Sequence, residues 1–399
     1  MSSKPPEQPA FSSRFDWEQN QNRLSRLLQR KRSAGAELLD LTESNPTRAG
    51  LTYPNKEILA ALADPAAMVY EPAAAGMKRA RQAVSGYYAS KGIDVAPDRI
   101  LLTASTSEAY SYLFKLLTDP GDEVLAPRPS YPLFDFLARM DAVRLQHYSL
   151  RYDEGWWIDL ASVEAAVSDR TRAILIVNPN NPTGSFLKRK ELDGLLEICR
   201  RRGLALISDE VFSDYPLRSD PNRVDSVAAN RSALLFSLNG FSKILGLPQM
   251  KLGWIVVSGP GEFRRAAVDR LETIADTYLS VAAPVQIAAE RWFAFRKPFQ
   301  QALRNRLASN RQLVEDAVRG SSCRLLETEG GWYAVLQLPR TRDEEDWALT
   351  FLQDDNVVVQ PGFFFDFPTQ AHAVLSLLTP AGILRDGMQR LLRRVAADC

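Results

Sequence analysis

The sequence predicts an α/β fold, in which a large domain with a mostly parallel central sheet flanked by helices is followed by a smaller α+β domain. From about residue 97, short apolar runs that end in polar or glycine residues alternate with amphipathic segments, the pattern of parallel βα units. After Pro284 this alternation gives way to long helical stretches with isolated strand-like runs. The 399 residues are enough for two or three domains.

Each predicted element follows from its local pattern. Leu24, Leu27 and Leu28 recur at helical spacing after a polar, Pro-rich tail, which predicts a first helix. The strands predicted next, in chain order, are RILLTAS, DEVLAP, TRAILIV, LALISDEVF, SALLFSLNG and LGWIVVSG, with helices at EAYSYLFKLL, YPLFDFLARM and KELDGLLEICRRRG among them. In the last part, PVQIAAERWFAFRKPFQQALRNRL is helical, WYAVLQL, VVVQPG and AVLSLL are strand-like, and helices are expected near 343–353 and at the end. We therefore assign 1–50 to an N-terminal arm with the first helix, which contributes to the small domain, 51–283 to the large domain and 284–399 to the small C-terminal domain.

Composition excludes several classes of function. Lys and Arg number 49 against 48 Asp and Glu, without long runs of one sign, so binding to nucleic acid or to an acidic membrane surface is not expected. Two histidines are too few for a multi-histidine metal site, and no metal site is predicted. Three well-separated cysteines suit a reducing compartment, and neither a signal peptide nor a membrane span is evident, so we expect a soluble cytoplasmic protein.

Polar residues follow the predicted strands, at the end of a parallel sheet where ligands bind. Ser105, Thr106 and Ser107 lie between a strand and a helix and could bind a phosphate, although, taken alone, they are better explained by an ordinary helix N-cap. NPNNPTG, which contains Asn181, places two Asn-Pro steps after a strand; a purely structural loop is the alternative. Asp209 ends an apolar strand, where a carboxylate needs a cationic or hydrogen-bonding partner.

Lys243 follows another apolar strand, and Lys251 comes eight residues later. Desolvation at such a position lowers the pKa of a lysine and makes it a nucleophile toward a carbonyl. A lysine at the surface, with its stem along apolar groups, is the alternative. The four motifs together are more specific than any one alone.

In this order and spacing, NPNNPTG, SDEVF and FSKILGLPQMKLGW resemble the class I/II aminotransferases, which are fold type I pyridoxal-phosphate enzymes, and the resemblance extends over about residues 40–395. It implies pyridoxal 5'-phosphate as cofactor, with Lys243 forming the Schiff base and moving a proton, and with Asp209 pairing the ring nitrogen. It further implies that Asn181 binds the phenolic oxygen and that Tyr131 stacks on the ring. The resemblance assigns the phosphate to Ser105, Thr106, Ser107, Ser242 and Lys251, with Tyr70 reaching the phosphate of a neighbouring subunit, and so implies a homodimer.

Three positions depart from the family pattern. Phe212 stands where a tyrosine usually contacts the phenolic oxygen, and Tyr215 lies too far along the chain to replace it easily. Lys251 replaces a common arginine at the phosphate. Val374 replaces the arginine that binds the substrate carboxylate; Arg48, in the segment ESNPTRAG that also contains Asn45, is the hypothetical substitute.

The resemblance implies an aminotransferase that moves an amino group between an amino acid and a 2-oxo acid by a ping-pong reaction. A pyridoxal-phosphate-dependent lyase or decarboxylase shares the same chemistry and stays an alternative, and a non-catalytic cofactor-binding regulator is a more distant one. The aromatic residues 363–365 are expected to pack in the core rather than line the pocket, although the preceding Pro-Gly turn could bring them to it. The sequence does not specify the amino donor or the acceptor.

Overall fold

Helices and strands alternate along most of the chain in the computed structural model, which describes residues 11–15, 22–369 and 371–398. The α-helices are α1 (Arg23–Ser33), α2 (Asn55–Leu62), α3 (Lys78–Ala89), α4 (Thr106–Leu117), α5 (Leu133–Met140), α6 (Leu160–Ala166), α7 (Arg189–Arg202), α8 (Phe241–Ile244), α9 (Gly261–Asp276), α10 (Ala283–Phe293), α11 (Arg296–Val318), α12 (Glu344–Asp355) and α13 (Ala381–Asp398). Short 3₁₀ helices cover Ser13–Phe15, Pro65–Met68, Pro97–Arg99, Pro248–Met250 and Gly362–Phe365.

Within the described residues, the strands form three sheets. They are β1 (Leu39–Asp40), β2 (Ile100–Thr103), β3 (Glu123–Arg128), β4 (Arg144–Tyr152), β5 (Trp156–Ile158), β6 (Thr171–Val177), β7 (Ala205–Asp209), β8 (Leu235–Gly240), β9 (Gly253–Ser258), β10 (Arg324–Leu325), β11 (Tyr333–Gln337), β12 (Val357–Val358), β13 (Gln360–Pro361) and β14 (His372–Ser376). The largest sheet has eight strands in the order β2-β9-β8-β7-β6-β3-β4-β5. Only β9 and β5 run against the other six, so the predicted mostly parallel sheet is confirmed.

The central strands are apolar on both faces, since helices cover both sides of the sheet. All five residues of β7 are buried, and alternate residues belong to different cores: Leu206 packs in one cluster and Ile207 in another. Neighbouring β6 has the same alternation, with Ile174 and Leu175 on opposite faces. Because both faces of these strands are buried, the part of the sheet that is left for a ligand is the edge at which the parallel strands end.

A second, antiparallel sheet is formed by the C-terminal part of the chain in the order β10-β11-β14-β13. The N-terminal segment joins this region: β1 pairs in parallel with β12, and Leu24 and Leu27 of α1 pack in one cluster with Trp347 of α12. The boundaries at residues 50 and 283 stay predictions. None of the helices in the described part of the chain combines the length and the apolar character needed to cross a bilayer.

Candidate active site

One cavity of about 660 Å³ lies where five parallel strands of the large sheet end. The segments that follow β2, β3, β6, β7 and β8 supply most of its wall. Of the residues singled out in the sequence, it is lined by Ser105, Thr106, Ser107, Tyr131, Asn181, Asp209, Phe212, Ser242, Lys243 and Lys251. The cavity therefore brings together the four motifs.

Asp209 is the last residue of β7, and its carboxylate is buried. One carboxylate oxygen accepts a hydrogen bond from the backbone N–H of Val211 at 3.1 Å, and the other accepts one from the hydroxyl of Tyr110 at 2.8 Å. Burial raises the pKa of Asp209, whereas these two donors and the nearby charge of Lys243 lower it. The carboxylate expected to need a partner thus has two fixed donors.

Lys243 lies in the single helical turn α8 directly after β8. Its amine is over the rings of Trp332 and Phe212, at 4.9 Å and 5.5 Å from their centroids. Burial lowers the pKa of this amine to about 8, although the charge of Asp209 acts in the opposite direction. Such an amine is a nucleophile near neutral pH.

Hydrogen bonds from buried side chains hold the backbone of Lys243 and of the residue after it. The hydroxyl of Tyr215 donates to its carbonyl oxygen at 2.5 Å, and Gln300 of α11 donates to the carbonyl of Ile244 at 3.1 Å. Tyr215 is fully buried and is absent from the cavity wall. Its hydroxyl is therefore committed to the backbone and does not replace the one that Phe212 lacks.

The turn NPNNPTG uses two of its three asparagines for its own structure. The amide of Asn178 donates to the carbonyl of Val224 at 2.7 Å and accepts from the N–H of Leu187 at 3.0 Å. Asn180 donates to the carbonyl of Pro129 at 3.1 Å. The buried amide oxygen of Asn181 has no hydrogen-bond partner within the described structure, so Asn181 is the one directed at the cavity.

Helix α4 begins at the cavity. Ser105 is its N-cap, since its side-chain oxygen accepts from the N–H of Glu108 at 3.2 Å, and the Glu108 carboxylate accepts in return from the N–H of Ala104 at 2.7 Å. Ser105 therefore caps α4, and the first turn of this helix also lines the cavity, where its partial positive charge suits an anion. A Cβ on Gly253 would lie 3.2 Å from the nitrogen of Thr106, which explains the glycine at the start of β9.

Three of the sequence candidates lie outside the cavity wall. Tyr70 is 78% exposed and lines a separate surface cavity of about 160 Å³. Arg48 is exposed on the loop before α2. The side chain of Asn45 accepts from the N–H and hydroxyl of Thr47, at 3.0 and 2.7 Å, and so shapes that loop. Its neighbour Ser44 does line the cavity.

Further residues of the wall were not predicted. Ser44, Tyr333 and Gln360 contribute polar side chains, and Phe364 and Phe365 also line the cavity, against the expectation that residues 363–365 would only pack in the core. Phe365 is nonetheless buried and packs in a core cluster, so it belongs both to the cavity wall and to the core. The Pro-Gly turn before these aromatic residues was the sequence feature that indicated their approach to the cavity.

The donor set fits a phosphorylated aromatic aldehyde. It offers a nucleophilic amine at Lys243 and a buried carboxylate at Asp209 for a ring nitrogen. The side-chain amide of Asn181 can donate to a ring oxygen through its NH2 group, and hydroxyl and N–H donors with the cation of Lys251 suit a phosphate. The amide of Asn181 supports the fit, because its buried oxygen has no hydrogen-bond partner in the described structure and Asn181 lines the cavity.

Comparison with known proteins agrees with this geometry. The glutamate-pyruvate aminotransferase AlaA of Escherichia coli is 27% identical over 85% of each chain, and the alanine aminotransferase of Mycobacterium tuberculosis is 27% identical over 91% of this chain and 86% of its own. The fold is similar to that of an alanine aminotransferase from Pyrococcus furiosus, with a TM-score of 0.85, 22% identity and coverage of 94% and 96% of the two chains. Residues 36–395 match the family described as aminotransferase class I and II, so the resemblance is confirmed: the chain belongs to the class I and II aminotransferases and is a pyridoxal-phosphate-dependent aminotransferase.

Proposed function

We propose that this enzyme transfers an amino group from an amino acid to a 2-oxo acid by a ping-pong reaction that uses the amine of Lys243. The observation that carries the proposal is the meeting of Lys243, Asp209 and Asn181 in one cavity, with the Lys243 amine neutral in part at physiological pH. In the first half of the reaction an amino acid leaves its amino group in the site, and in the second half a 2-oxo acid removes it.

Four cavity residues have a proposed part in the chemistry on the cofactor ring. Pyridoxal phosphate, when bound, supplies a conjugated ring that accepts the electron pair released at the substrate carbon. Lys243 would bind the cofactor aldehyde and afterwards accept and return a proton at its amine nitrogen. Asp209 binds the protonated ring nitrogen, Asn181 the phenolic oxygen, and Tyr131 covers the ring face.

The phosphate has its own set of proposed ligands. The N–H groups at the start of α4 and the hydroxyls in its first turn suit an anion, since a helix N-terminus carries partial positive charge. The ligands that we propose are Ser105, Thr106, Ser107, Ser242 and Lys251.

The proposed substrates come from the chemistry of the relatives and from the cavity wall. The relatives named above act, by their names, on glutamate, pyruvate or alanine, so these and 2-oxoglutarate are the first substrates to test. Arg48 was the hypothetical ligand of the substrate carboxylate, with Asn45 beside it, and both lie off the cavity wall of the single chain. An unchanged KM for the amino donor in an Arg48→Ala variant would show that Arg48 does not bind the substrate carboxylate.

We further propose that the enzyme is a homodimer in which Tyr70 reaches the phosphate of the partner. Tyr70 follows Met68 and Val69, and all three are largely exposed in the single chain, at 78%, 89% and 59%. Sedimentation would give the mass in solution. Mixing Tyr70→Phe chains with Lys243→Ala chains would restore part of the activity only if a site takes Tyr70 from one subunit and Lys243 from the other. The cytoplasmic location stays a prediction for cell fractionation.

Spectroscopy of the purified protein tests the proposed reaction. Wild-type protein with pyridoxal phosphate should develop the absorption band of lysine-bound cofactor, and Lys243→Ala should not. Addition of a competent amino acid alone should convert that band to the pyridoxamine form, and a 2-oxo acid should restore it. Product release without a 2-oxo acid would favour the lyase or decarboxylase alternative, and a band that no amine changes would favour a regulator.

A further inference from the structure

The hydroxyl of Tyr110 contacts the carboxylate that we assign to the cofactor ring. Tyr110 lies in α4, four residues after Thr106, and donates to Asp209 at 2.8 Å. Tyr110 is 2% exposed and is not part of the cavity wall, so it can act on a bound cofactor only through Asp209. The helix whose first turn lines the cavity therefore also reaches the carboxylate at the end of β7.

We propose that Tyr110 is a positioning residue that fixes the Asp209 carboxylate in its charged form, so that the proton between this carboxylate and the cofactor ring nitrogen stays on the nitrogen. The inference rests on the proposed function, since it concerns the residue assigned to the ring nitrogen. It adds a group that acts on the electron sink without contacting the cofactor.

Aromatic packing fixes the position of the Tyr110 ring. Its centroid lies 5.3 Å from that of Phe134, with the two planes at 67°, and 6.2 Å from that of Phe114. Phe134 in turn makes an edge contact at 6.0 Å with Tyr131, the residue proposed to cover the ring face. The hydroxyl of Tyr110 therefore has little freedom to leave Asp209.

In the proposed site, one proton is shared between two bases, the Asp209 carboxylate and the ring nitrogen. A carboxylate and a pyridine nitrogen that share a proton form either an ion pair, with the proton on nitrogen, or a neutral pair, with the proton on oxygen. Burial raises the pKa of Asp209 and favours the neutral pair. The groups that act against burial are the N–H of Val211, the hydroxyl of Tyr110 and the charge of Lys243.

Tyr110 is the donor among these that a single substitution removes cleanly. The N–H of Val211 belongs to the backbone, and a substitution of Lys243 would remove the amine proposed to bind the cofactor as well as its charge. Burial and the Asp209 charge hold the pKa of Tyr110 well above its usual range, so the phenol stays a donor at every pH at which the enzyme works. Tyr131 also faces Asp209, and burial raises its pKa as well, so it adds no charge.

The test is Tyr110→Phe, compared by ¹⁵N NMR with wild-type enzyme loaded with ¹⁵N-labelled pyridoxal phosphate. A hydrogen bond to a charged group corresponds to a factor of about ten to a hundred in an equilibrium, so the ring nitrogen signal should move from the protonated toward the unprotonated position. Tyr148→Phe is the matched control, because Tyr148 is equally buried and donates at 2.9 Å to the carbonyl of Leu175, away from Asp209.

Two further measurements separate this role from a general loss of structure. The affinity for pyridoxal phosphate should fall in Tyr110→Phe but not change further when the substitution is added to Asp209→Asn, because the hydroxyl would act through the carboxylate. Tyr110→His, which keeps a ring donor, should restore part of the wild-type signal, and it also serves if Tyr110→Phe does not fold.

Three results would overturn the inference: an unchanged nitrogen signal in Tyr110→Phe, an equal change in Tyr148→Phe, or an undiminished effect of Tyr110→Phe in the Asp209→Asn background. The proposed function fails in a different way, since wild-type protein would then bind no pyridoxal phosphate or convert no amine.

Discussion

The neutral amine of Lys243 gives a quantitative prediction about the protein without cofactor. Burial lowers the pKa of this amine to about 8, so about half of the molecules carry a neutral amine at pH 8. For an ordinary lysine with a pKa near 10.4, that fraction is roughly 0.4% at the same pH. Lys243 should therefore be available to an aldehyde about a hundred times more often than an exposed lysine.

The assay is trace labelling of the apoprotein with an amine-acylating reagent, followed by peptide mass spectrometry between about pH 6 and pH 11. The midpoint of Lys243 labelling should lie at about pH 8. Lys190 is exposed on α7, outside the cavity, and provides an internal reference for the reagent itself. Lys243→Ala identifies the labelled peptide.

An Asp209→Asn substitution tests the cause of the shift. The charge of Asp209 raises the pKa of Lys243, so removing that charge should move the midpoint further below that of the wild type. A Lys243 midpoint at about 10.4, the ordinary value for a lysine, or a rise of the midpoint in Asp209→Asn, would refute the reasoning from burial and charge.

Four other substitutions have expected outcomes. Lys251→Ala should weaken pyridoxal phosphate binding about ten- to a hundredfold but leave the binding of unphosphorylated pyridoxal unchanged in equilibrium dialysis; equal losses would contradict a phosphate contact. Gly184→Ala should lower the free energy of unfolding by roughly 2 kcal/mol or more, because φ is +71° and the added Cβ would lie 2.5 Å from the carbonyl oxygen of Gly330. Gly203→Ala, at φ +67° with no atom within 4 Å, should cost only about 1 kcal/mol in the same denaturant titration. Phe212→Tyr should tighten cofactor binding a few-fold if the hydroxyl reaches the phenolic oxygen, and unchanged affinity would show that it does not.

The strand ends were predictable because they follow from local patterns. Apolar runs that are buried on both faces predict parallel strands, and the carboxyl ends of parallel strands meet at one edge of the sheet. Residues at those ends, such as Asn181, Asp209 and Lys243, therefore lie together even though 62 positions separate the first from the last. The short apolar runs were therefore enough to predict which residues meet at this edge of the sheet, and the conformations of the loops between them were not needed.

The residues that sequence reasoning missed depend on packing between distant segments. Tyr110 and Asp209 are 99 positions apart, and only the packing of α4 on the sheet brings them within hydrogen-bond distance. The available signal was the helical spacing, since a residue four positions after Thr106 lies on the same face of α4 as the first turn. Ser44 and Tyr333 come from segments outside the predicted large domain, and no local pattern indicates how those segments approach the sheet.

Val374 shows how a departure in sequence changes the site without changing the fold. In β14 it is paired directly with Gln360 of β13 and Val335 of β11, and cross-strand partners present their side chains on the same face of a sheet. Tyr333, two residues before Val335, is on that face too, and both Tyr333 and Gln360 line the cavity.

An arginine at position 374 would therefore be directed at the cavity side of the small sheet, whereas valine is fully buried there. A substrate carboxylate on this side would meet the amide of Gln360 and the phenol of Tyr333 rather than a guanidinium. Neutral donors bind a carboxylate less strongly than a bidentate arginine does, and they discriminate less between a carboxylate and an uncharged group of the same shape. Under the proposed function, the replacement would bear on which amino donors the enzyme accepts, while the chemistry of transfer would rest on Lys243 and on the Asp209 carboxylate that Tyr110 contacts.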